Sequence, residues 1–228
     1  RMKKLPHIII AAAALLLCGC QCQPSCEFAI TTPAEISQAQ NQIKADVLFI
    51  TAMPSERKFV EEAYSLKEIA PGLHAANGVA CITTGIGGAN VNATLKKFKV
   101  SEGVKKINVG YCGSNVIEKG KLCKVSSSAK IENPQARAKI AESGVPCFTA
   151  DKFVEETDIK EPCVFDMELF YIQKIFPDIA AYKIVSDNLS HSEFKNFESL
   201  NPQEAWNGFL EEISNKIAKK PASPAKNN

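Results

Sequence analysis

Three acidic residues stand where a short apolar run of the sequence gives way to a loop or a helix. They are Glu56, Glu168 and Asp187, which follow the apolar runs Val47–Ile50, Cys163–Phe165 and Ala181–Val185 in that order. Carboxyl groups at strand ends can act as general acids or bases toward a bound ligand. Taken one at a time, each acid is better explained as a first-turn helix residue that the helix dipole stabilises.

A glycine-rich segment, Thr84–Asn90, has the composition of a ligand-binding turn. Gly85, Gly87 and Gly88 follow an apolar run and precede a helical pattern. Closely spaced glycines let the backbone approach a ligand, and a helix N-terminus favours anionic or polar oxygen groups. The segment lacks the third glycine of a dinucleotide fingerprint, and the sequence contains no Gly-Lys-Ser/Thr phosphate loop. A binding loop and a tight structural turn are therefore both compatible with it.

Apolar runs alternate with helical patterns through the middle of the chain. The predicted strands are Val47–Ile50, Val79–Thr84, Lys106–Val109, Leu122–Ser126 and Ala181–Val185. The predicted helices are Pro54–Leu66, Ala89–Phe98, Gln135–Glu142, Met167–Phe176 and Pro202–Ala218. The last helix has the clearest pattern, because Asn201 can cap it, Pro202 suits its first position and Trp206 begins its apolar face. This alternation predicts a layered α/β sheet with a site at the strand ends.

The charge of the chain argues against a nucleic-acid partner. The formal net charge is +2, but three of the basic residues, Arg1, Lys3 and Lys4, precede the first apolar run. Without them 24 basic residues face 25 acidic ones. Binding to the phosphates of a nucleic acid requires clustered positive charge, which this balance does not provide.

The first 20 residues have the pattern of a bacterial export signal. Lys3 and Lys4 form a basic segment, and the apolar run Ile8–Leu17 is shorter than the about 20 residues that span a membrane. The segment Leu17–Cys20 resembles a lipobox, with Cys20 as the cysteine that becomes lipidated. We therefore expect an exported lipoprotein, held on a membrane by its N-terminal lipid on the periplasmic side or at the cell surface. A signal peptide at 1–20 and a tether at 21–44 would precede the folded domain.

The nine cysteines do not predict a metal site. Four of them crowd one short segment, at Cys18, Cys20, Cys22 and Cys26. No second half with zinc-ligand spacing follows, so neither a metal nor another cofactor is predicted. The five cysteines in the body of the chain are expected to be small buried apolar residues.

Five motifs, in their order along the chain, resemble the bacterial 5′-methylthioadenosine/S-adenosylhomocysteine nucleosidases and their nucleoside phosphorylase relatives. The motifs are Ala52–Glu56, Gly85–Asn92, Asn108–Gly113, Met167-Glu168, and Ser186-Asp187 with Ser190-His191 and Phe194. The resemblance covers about Val47–Ile217. It implies a nucleoside phosphorylase-like, three-layer α/β/α domain with a central mixed β-sheet over residues 45–218, followed by a disordered tail at 219–228. Homodimers are usual among such proteins.

The resemblance also implies a chemistry, the cleavage of the N-glycosidic bond of a purine nucleoside. Glu56 would orient and deprotonate the attacking water, and Asp187 would donate a proton toward N7 of the leaving purine. Such cleavage passes through an oxocarbenium-like state, so one face of the sugar needs a base and the leaving group needs a donor. The two-carboxylate logic of glycoside hydrolysis applies by analogy. Asp187 can donate only if its surroundings raise its pKa or share its proton.

The remaining implied residues would hold the substrate. Glu168 would accept hydrogen bonds from the ribose hydroxyls, and Met167 would pack against the sugar. Phe153 resembles the aromatic residue that stacks on the purine. Gly85 and Gly110 would bring backbone close to the ligand.

Three departures from the family pattern bear on the reaction. Only residues 126–134 stand where relatives carry a longer insertion, Tyr111 occupies a position that is usually small, and Asn108 stands where the phosphorylases have a phosphate-binding Arg. Hydrolysis is therefore favoured over phosphorolysis. The alternatives are a phosphate-dependent phosphorylase and a nucleoside-binding lipoprotein with reduced catalysis. His191 is expected to cap a loop.

Overall fold

A computed structural model describes residues 42–199 and 202–218. Its strands are β1 (Gln42–Ile43), β2 (Val47–Thr51), β3 (Lys67–Ala70), β4 (Leu73–Ala76), β5 (Val79–Thr83), β6 (Lys99–Val100), β7 (Lys105–Ser114), β8 (Leu122–Lys130), β9 (Ala138–Lys139), β10 (Val145–Thr149), β11 (Val164–Asp166) and β12 (Ala180–Asp187). Its helices are α1 (Pro54–Tyr64), α2 (Gly88–Leu95), α3 (Leu169–Ile175), α4 (His191–Ser199) and α5 (Gln203–Ala218).

One mixed sheet forms the centre of the domain. Its strand order is β11-β10-β8-β12-β7-β2-β5-β4-β3, and β9 pairs with β8 outside this order. The neighbours β12, β7, β2 and β5 are parallel, so their carboxyl ends meet at the same edge of the sheet. Strand β11 pairs with both β10 and β7. The loop after β11 is thereby brought to the edge where β2, β5 and β12 also end.

Helices cover both faces of this sheet. On one face, α1 and α5 meet through Phe59 and Trp206, whose rings stack with centroids 4.8 Å apart, and α4 adds Phe194 to the same apolar cluster. On the other face, α2 and α3 pack a second cluster that includes Leu95 and Leu169. The predicted fold class, a three-layer α/β/α domain with a central mixed sheet, is confirmed.

The predicted helix Gln135–Glu142 is wrong. The structure has turns there and the two-residue strand β9, which pairs antiparallel with Ser127 and Ser128 of β8. Most of the segment is exposed, so a helix would have had no apolar stripe to bury. The backbone N–H groups of Ile140 and Ala141 instead donate to the carbonyl of Ser126.

Several elements were not predicted, namely β1, β6, β10, the hairpin β3–β4 and helix α4. The hairpin β3–β4 turns at Pro71-Gly72, where Gly72 has a φ of 75°, a left-handed conformation that favours glycine. Helix α4 begins after Ser190, and Phe194 and Phe197 pack it against the sheet. The hairpin and α4 lie beside the parallel strands, whereas β10 is part of the sheet itself, between β11 and β8.

The end of the predicted tether is part of the folded domain, because Gln42–Ile43 pairs with Lys99–Val100 and Ile43 is buried. The predicted signal peptide, the lipidation site Cys20, the N-cap Asn201 and the tail 219–228 lie outside the described residues. Within the described part of the chain, no helix is long and apolar enough to cross a membrane.

Candidate active site

The three acids singled out in the sequence lie on one cavity at the carboxyl edge of the parallel strands. The cavity has a volume of about 280 Å³. Its lining residues are Ala52, Met53, Glu56, Ile86, Tyr111, Cys112, Gly113, Phe153, Phe165, Asp166, Met167, Glu168, Ser186, Asp187, His191 and Phe194. The acids, the predicted sugar contact Met167 and the predicted base contact Phe153 are therefore together, although more than 130 residues separate Glu56 from Asp187 in the chain.

Glu56 is held by backbone donors from the turn after β2 and from strand β7. Its Oε2 accepts hydrogen bonds from the N–H groups of Ala52 at 2.7 Å and Met53 at 2.9 Å, and its Oε1 accepts one from Tyr111 at 2.8 Å. Only a glycine fits at position 110, because a Cβ there would lie 2.6 Å from Oε1 of Glu56. Burial raises the pKa of Glu56, against the opposing hydrogen bonds and the charge of Lys183. These contacts hold the carboxyl group in one orientation.

Glu168 connects the loop after β11 to the glycine-rich turn. Its Oε1 accepts a hydrogen bond from the N–H of Gly87 at 2.7 Å, and its Oε2 accepts one from the N–H of Met167 at 3.3 Å. Burial, followed by the charge of Asp166, raises the pKa of Glu168 to about 7. The group therefore changes its protonation state near neutral pH.

Asp187 ends strand β12, and its side chain is almost completely buried. Its Oδ1 accepts hydrogen bonds from the N–H groups of Leu189 at 3.0 Å and Ser190 at 3.3 Å, and its Oδ2 lies 2.8 Å from the hydroxyl of Ser186. The same hydroxyl lies 3.0 Å from the carbonyl of Cys112. It has one proton for these two acceptors. Burial raises the pKa of Asp187, while the Ser186 hydroxyl and the two N–H groups lower it.

A buried ion pair behind the cavity was missed in the sequence. Lys183 lies 2.7 Å from Oδ2 of Asp166, and both side chains are almost inaccessible to solvent. Oδ1 of Asp166 accepts a hydrogen bond from Thr149 at 2.6 Å. Burial alone would lower the pKa of Lys183, but the charges of Asp166 and Glu168 raise it above its usual value. A lysine inside the apolar strand β12 was the available signal, because a charge buried there requires a partner.

The aromatic residues of the cavity are fixed from the helical layer. Tyr111 lines the cavity, and its hydroxyl accepts a hydrogen bond from the indole N–H of the buried Trp206 at 3.1 Å. Its ring packs edge-on against Phe194 and Phe197, with centroids 6.4 and 5.8 Å away. These contacts hold the large Tyr111 side chain in one position in the wall of the cavity.

The structure also locates the glycines, the histidine and the cysteines that the sequence analysis singled out. Gly85 and Gly110 are not among the lining residues; Gly85 has a φ of 84°, and Gly110 makes room for Glu56. His191, expected to cap a loop, stacks on Phe153 instead. The five body cysteines are buried and free, as predicted. No group of three or more potential metal ligands occurs among residues 42–199 and 202–218.

No protein-family model matches the chain, and no curated protein matches its sequence. Solved structures do match. The MTAN of Chlamydia trachomatis has a TM-score of 0.65 at 15% identity, covering 75% of this chain and 98% of its own. The futalosine hydrolase of Helicobacter pylori has a TM-score of 0.60 at 16% identity, covering 76% of this chain and 98% of its own.

A third similar structure is the 5′-methylthioadenosine/S-adenosylhomocysteine nucleosidase of Helicobacter pylori. Its TM-score is 0.60 at 16% identity, covering 76% of this chain and 99% of the other. All three belong to the nucleoside phosphorylase superfamily. At such identities the likeness shows the fold, and the fold implied by the sequence motifs is the one observed.

Proposed function

We propose that the protein hydrolyses the N-glycosidic bond of purine nucleosides, of the 5′-methylthioadenosine or S-adenosylhomocysteine type, and releases the free base. The observation that carries this proposal is the convergence of Glu56, Glu168 and Asp187 on one cavity together with Phe153 and Met167. The solved structures of this fold support it, since they include nucleosidases and one of them contains 5′-methylthioadenosine.

Glu56 is the proposed general base. Three backbone N–H groups hold its two oxygens, and Oε1, with a single such donor, keeps a lone pair for a water molecule. Because burial raises the pKa of Glu56, the carboxylate is a stronger base than an exposed glutamate. It takes a proton from water as the water oxygen forms a bond to C1′ of the sugar.

Asp187 is the proposed general acid. As the bond from C1′ to the purine nitrogen breaks, the electron pair moves onto the base, and a proton from Asp187 at N7 neutralises it. Burial raises the pKa of Asp187 and so favours the protonated form that this step needs. When Asp187 is protonated, the Ser186 hydroxyl can donate to the Cys112 carbonyl instead. The products are the free base and a sugar with a hydroxyl group at C1′.

Three other residues that line the cavity would bind the sugar and the base of the substrate. Glu168 would accept hydrogen bonds from the ribose hydroxyls, since carboxylate oxygens retain acceptor capacity beyond the Gly87 N–H. Met167 supplies an apolar surface to the sugar, and Phe153 supplies a ring face to the purine.

Water is the proposed nucleophile because none of the described residues that line the cavity is a lysine or an arginine, which could bind phosphate. Lys183 behind the cavity is paired with Asp166. Asn108 does not line the cavity, and its amide N–H donates to the carbonyl of Ile50 at 3.0 Å. Phosphate sites in proteins are usually built from such cations or from free backbone N–H groups.

Incubation of the protein with a panel of nucleosides, with and without phosphate, tests the proposal. We expect release of purine base at equal rates in both conditions, with free ribose or a 5′-substituted ribose as the sugar product. The Glu56→Gln variant is the matched control for contaminating activity. Ribose 1-phosphate as the main product would identify a phosphorylase, and binding without turnover would identify a nucleoside-binding protein.

We also propose that the protein is exported and anchored through a lipid on Cys20. The support is the basic and apolar pattern of residues 1–20, which ends in Gly19-Cys20. Stable attachment to a membrane needs more than one acyl chain, which a lipoprotein anchor provides.

A further inference from the structure

Phe153 lies in a segment that the backbone does little to hold. Residues 151–163 have no regular structure. Asp151 fixes one end by accepting hydrogen bonds from two side chains, and Asn115 fixes the other end by donating to two carbonyls. Between these points, residues 152–156 have no hydrogen bond or ion pair to any described part of the chain. Val154 packs against the apolar cluster that includes Phe148 and Phe165, so packing holds the backbone beside Phe153. The orientation of the Phe153 ring itself depends on the side chains that it touches.

Those side chains come from the first turn of α4. The His191 ring stacks on Phe153 with centroids 5.1 Å apart and an angle of 19° between the planes. The Phe194 ring packs against it at 6.4 Å and 53°. All three residues line the cavity. The His191 side chain has no hydrogen bond or ion pair within the described residues, so the stack is its one specific interaction there.

We propose that His191 is a positioning residue, which holds the Phe153 ring ready to stack on the purine and so sets the affinity for the nucleoside. This inference rests on the proposed function, because it takes Phe153 as the base contact. Without the stack, the Phe153 ring would have to be fixed when the ligand binds, and that loss of side-chain freedom would weaken binding. Among the described residues, His191 makes no hydrogen bond or ion pair with Glu56 or Asp187, the carboxyl groups that carry the bond-breaking step.

Loss of the imidazole should leave α4 in place. The helix start is held by Ser190, whose hydroxyl lies 3.4 Å from the N–H of Glu193, and by Asp187, which accepts the N–H of Ser190. His191 contributes only its ring to this region and is exposed to solvent. Substitution at position 191 therefore removes the stacking on Phe153 but keeps the hydrogen bonds of Ser190 and Asp187 at the start of α4.

Steady-state kinetics with a cleaved purine nucleoside test the proposal. If the lost stabilisation equals that of a typical aromatic pair, His191→Ala should raise KM by about 3- to 10-fold and change kcat by less than about 2-fold. His191→Phe, which keeps a flat ring, should restore KM. Lys195→Ala, an exposed position on the same helix outside the cavity, is the matched control and should match the wild type.

A double-mutant cycle shows whether His191 acts through Phe153. Phe153→Ala should raise KM, and adding His191→Ala should then raise it no further, because the ring that His191 supports is gone. Additive effects would overturn the proposal, as would an unchanged KM or an equal fall in kcat for His191→Ala alone.

A binding measurement distinguishes failure of the His191 proposal from failure of the proposed nucleosidase function. If the wild type cleaves no nucleoside, calorimetric titration with adenosine replaces kinetics. Weaker binding to His191→Ala by the same factor, with rescue by His191→Phe, would support the stack in a protein without turnover. No binding of adenosine to the wild type would overturn both proposals.

Discussion

Replacing Glu168 with Gln should stabilise the protein at neutral and alkaline pH. The carboxyl group is buried, and its pKa is raised to about 7 from an ordinary value of 4.5. Because the folded-state pKa is the higher one, the group favours folding most at low pH, and this contribution is lost as the pH rises through about 7. The ionised carboxylate therefore destabilises the folded protein.

The magnitude follows from the two pKa values. The raised pKa of Glu168 lowers the free energy of unfolding by about 3 kcal/mol at pH 8 and by about 1 kcal/mol at pH 5. Gln keeps an oxygen for the N–H of Gly87 but loses the 3.3 Å hydrogen bond from Met167, worth about 1 kcal/mol. We expect Glu168→Gln to gain about 2 kcal/mol at pH 8 and almost nothing at pH 5.

Urea unfolding of both proteins at several pH values between 5 and 8 measures this difference. The exposed Glu155→Gln, which removes the same charge from the surface, is the control and should give a difference that does not depend on pH. The reasoning is refuted if Glu168→Gln is less stable than the wild type at pH 8, or if its gain is the same at pH 5.

Four further outcomes are expected. Glu56→Gln should bind nucleosides but lower turnover by roughly 10²- to 10⁴-fold, the usual scale for a general base; unchanged turnover would remove it from the mechanism. Asp187→Asn should lose most turnover of purine nucleosides but keep most activity on a nitrophenyl riboside, whose leaving group needs no proton, and equal losses would make Asp187 structural. Lys183→Met should destabilise the protein by about 3–5 kcal/mol in thermal unfolding, because Asp166 is left buried and unpaired; adding Asp166→Asn should recover part of the loss, and no recovery would contradict the ion-pair account. Mass spectrometry of the membrane fraction should find a mature protein that begins at lipidated Cys20, and an unmodified N-terminus would contradict this.

The ordered set of motifs that resembles a known family, more than any local pattern, singled out Glu56, Glu168 and Asp187 as candidate site residues. Glu56 and Asp187 follow β2 and β12, two strands of the parallel set that end at one edge of the sheet. Glu168 follows β11, which pairs antiparallel with β7, so its place at the cavity was not fixed by that rule. The glycine at position 110 was also recognised, but its role is different, because it leaves space for a carboxyl group of another element. That role depends on a contact across 54 positions of the chain, which no local pattern contains.

The sequence by itself determined the layered α/β class and the place of each of the three acids after an apolar run, because these follow from apolar periodicity and short motifs. Only the tertiary structure decided which groups meet. Lys183 pairs with Asp166, Tyr111 is fixed by Trp206, and His191 stacks on Phe153. Each of these pairs joins distant parts of the chain. Such contacts depend on strand order and on how helices pack over the sheet, and a polar helix such as α4 takes its place from packing more than from propensity.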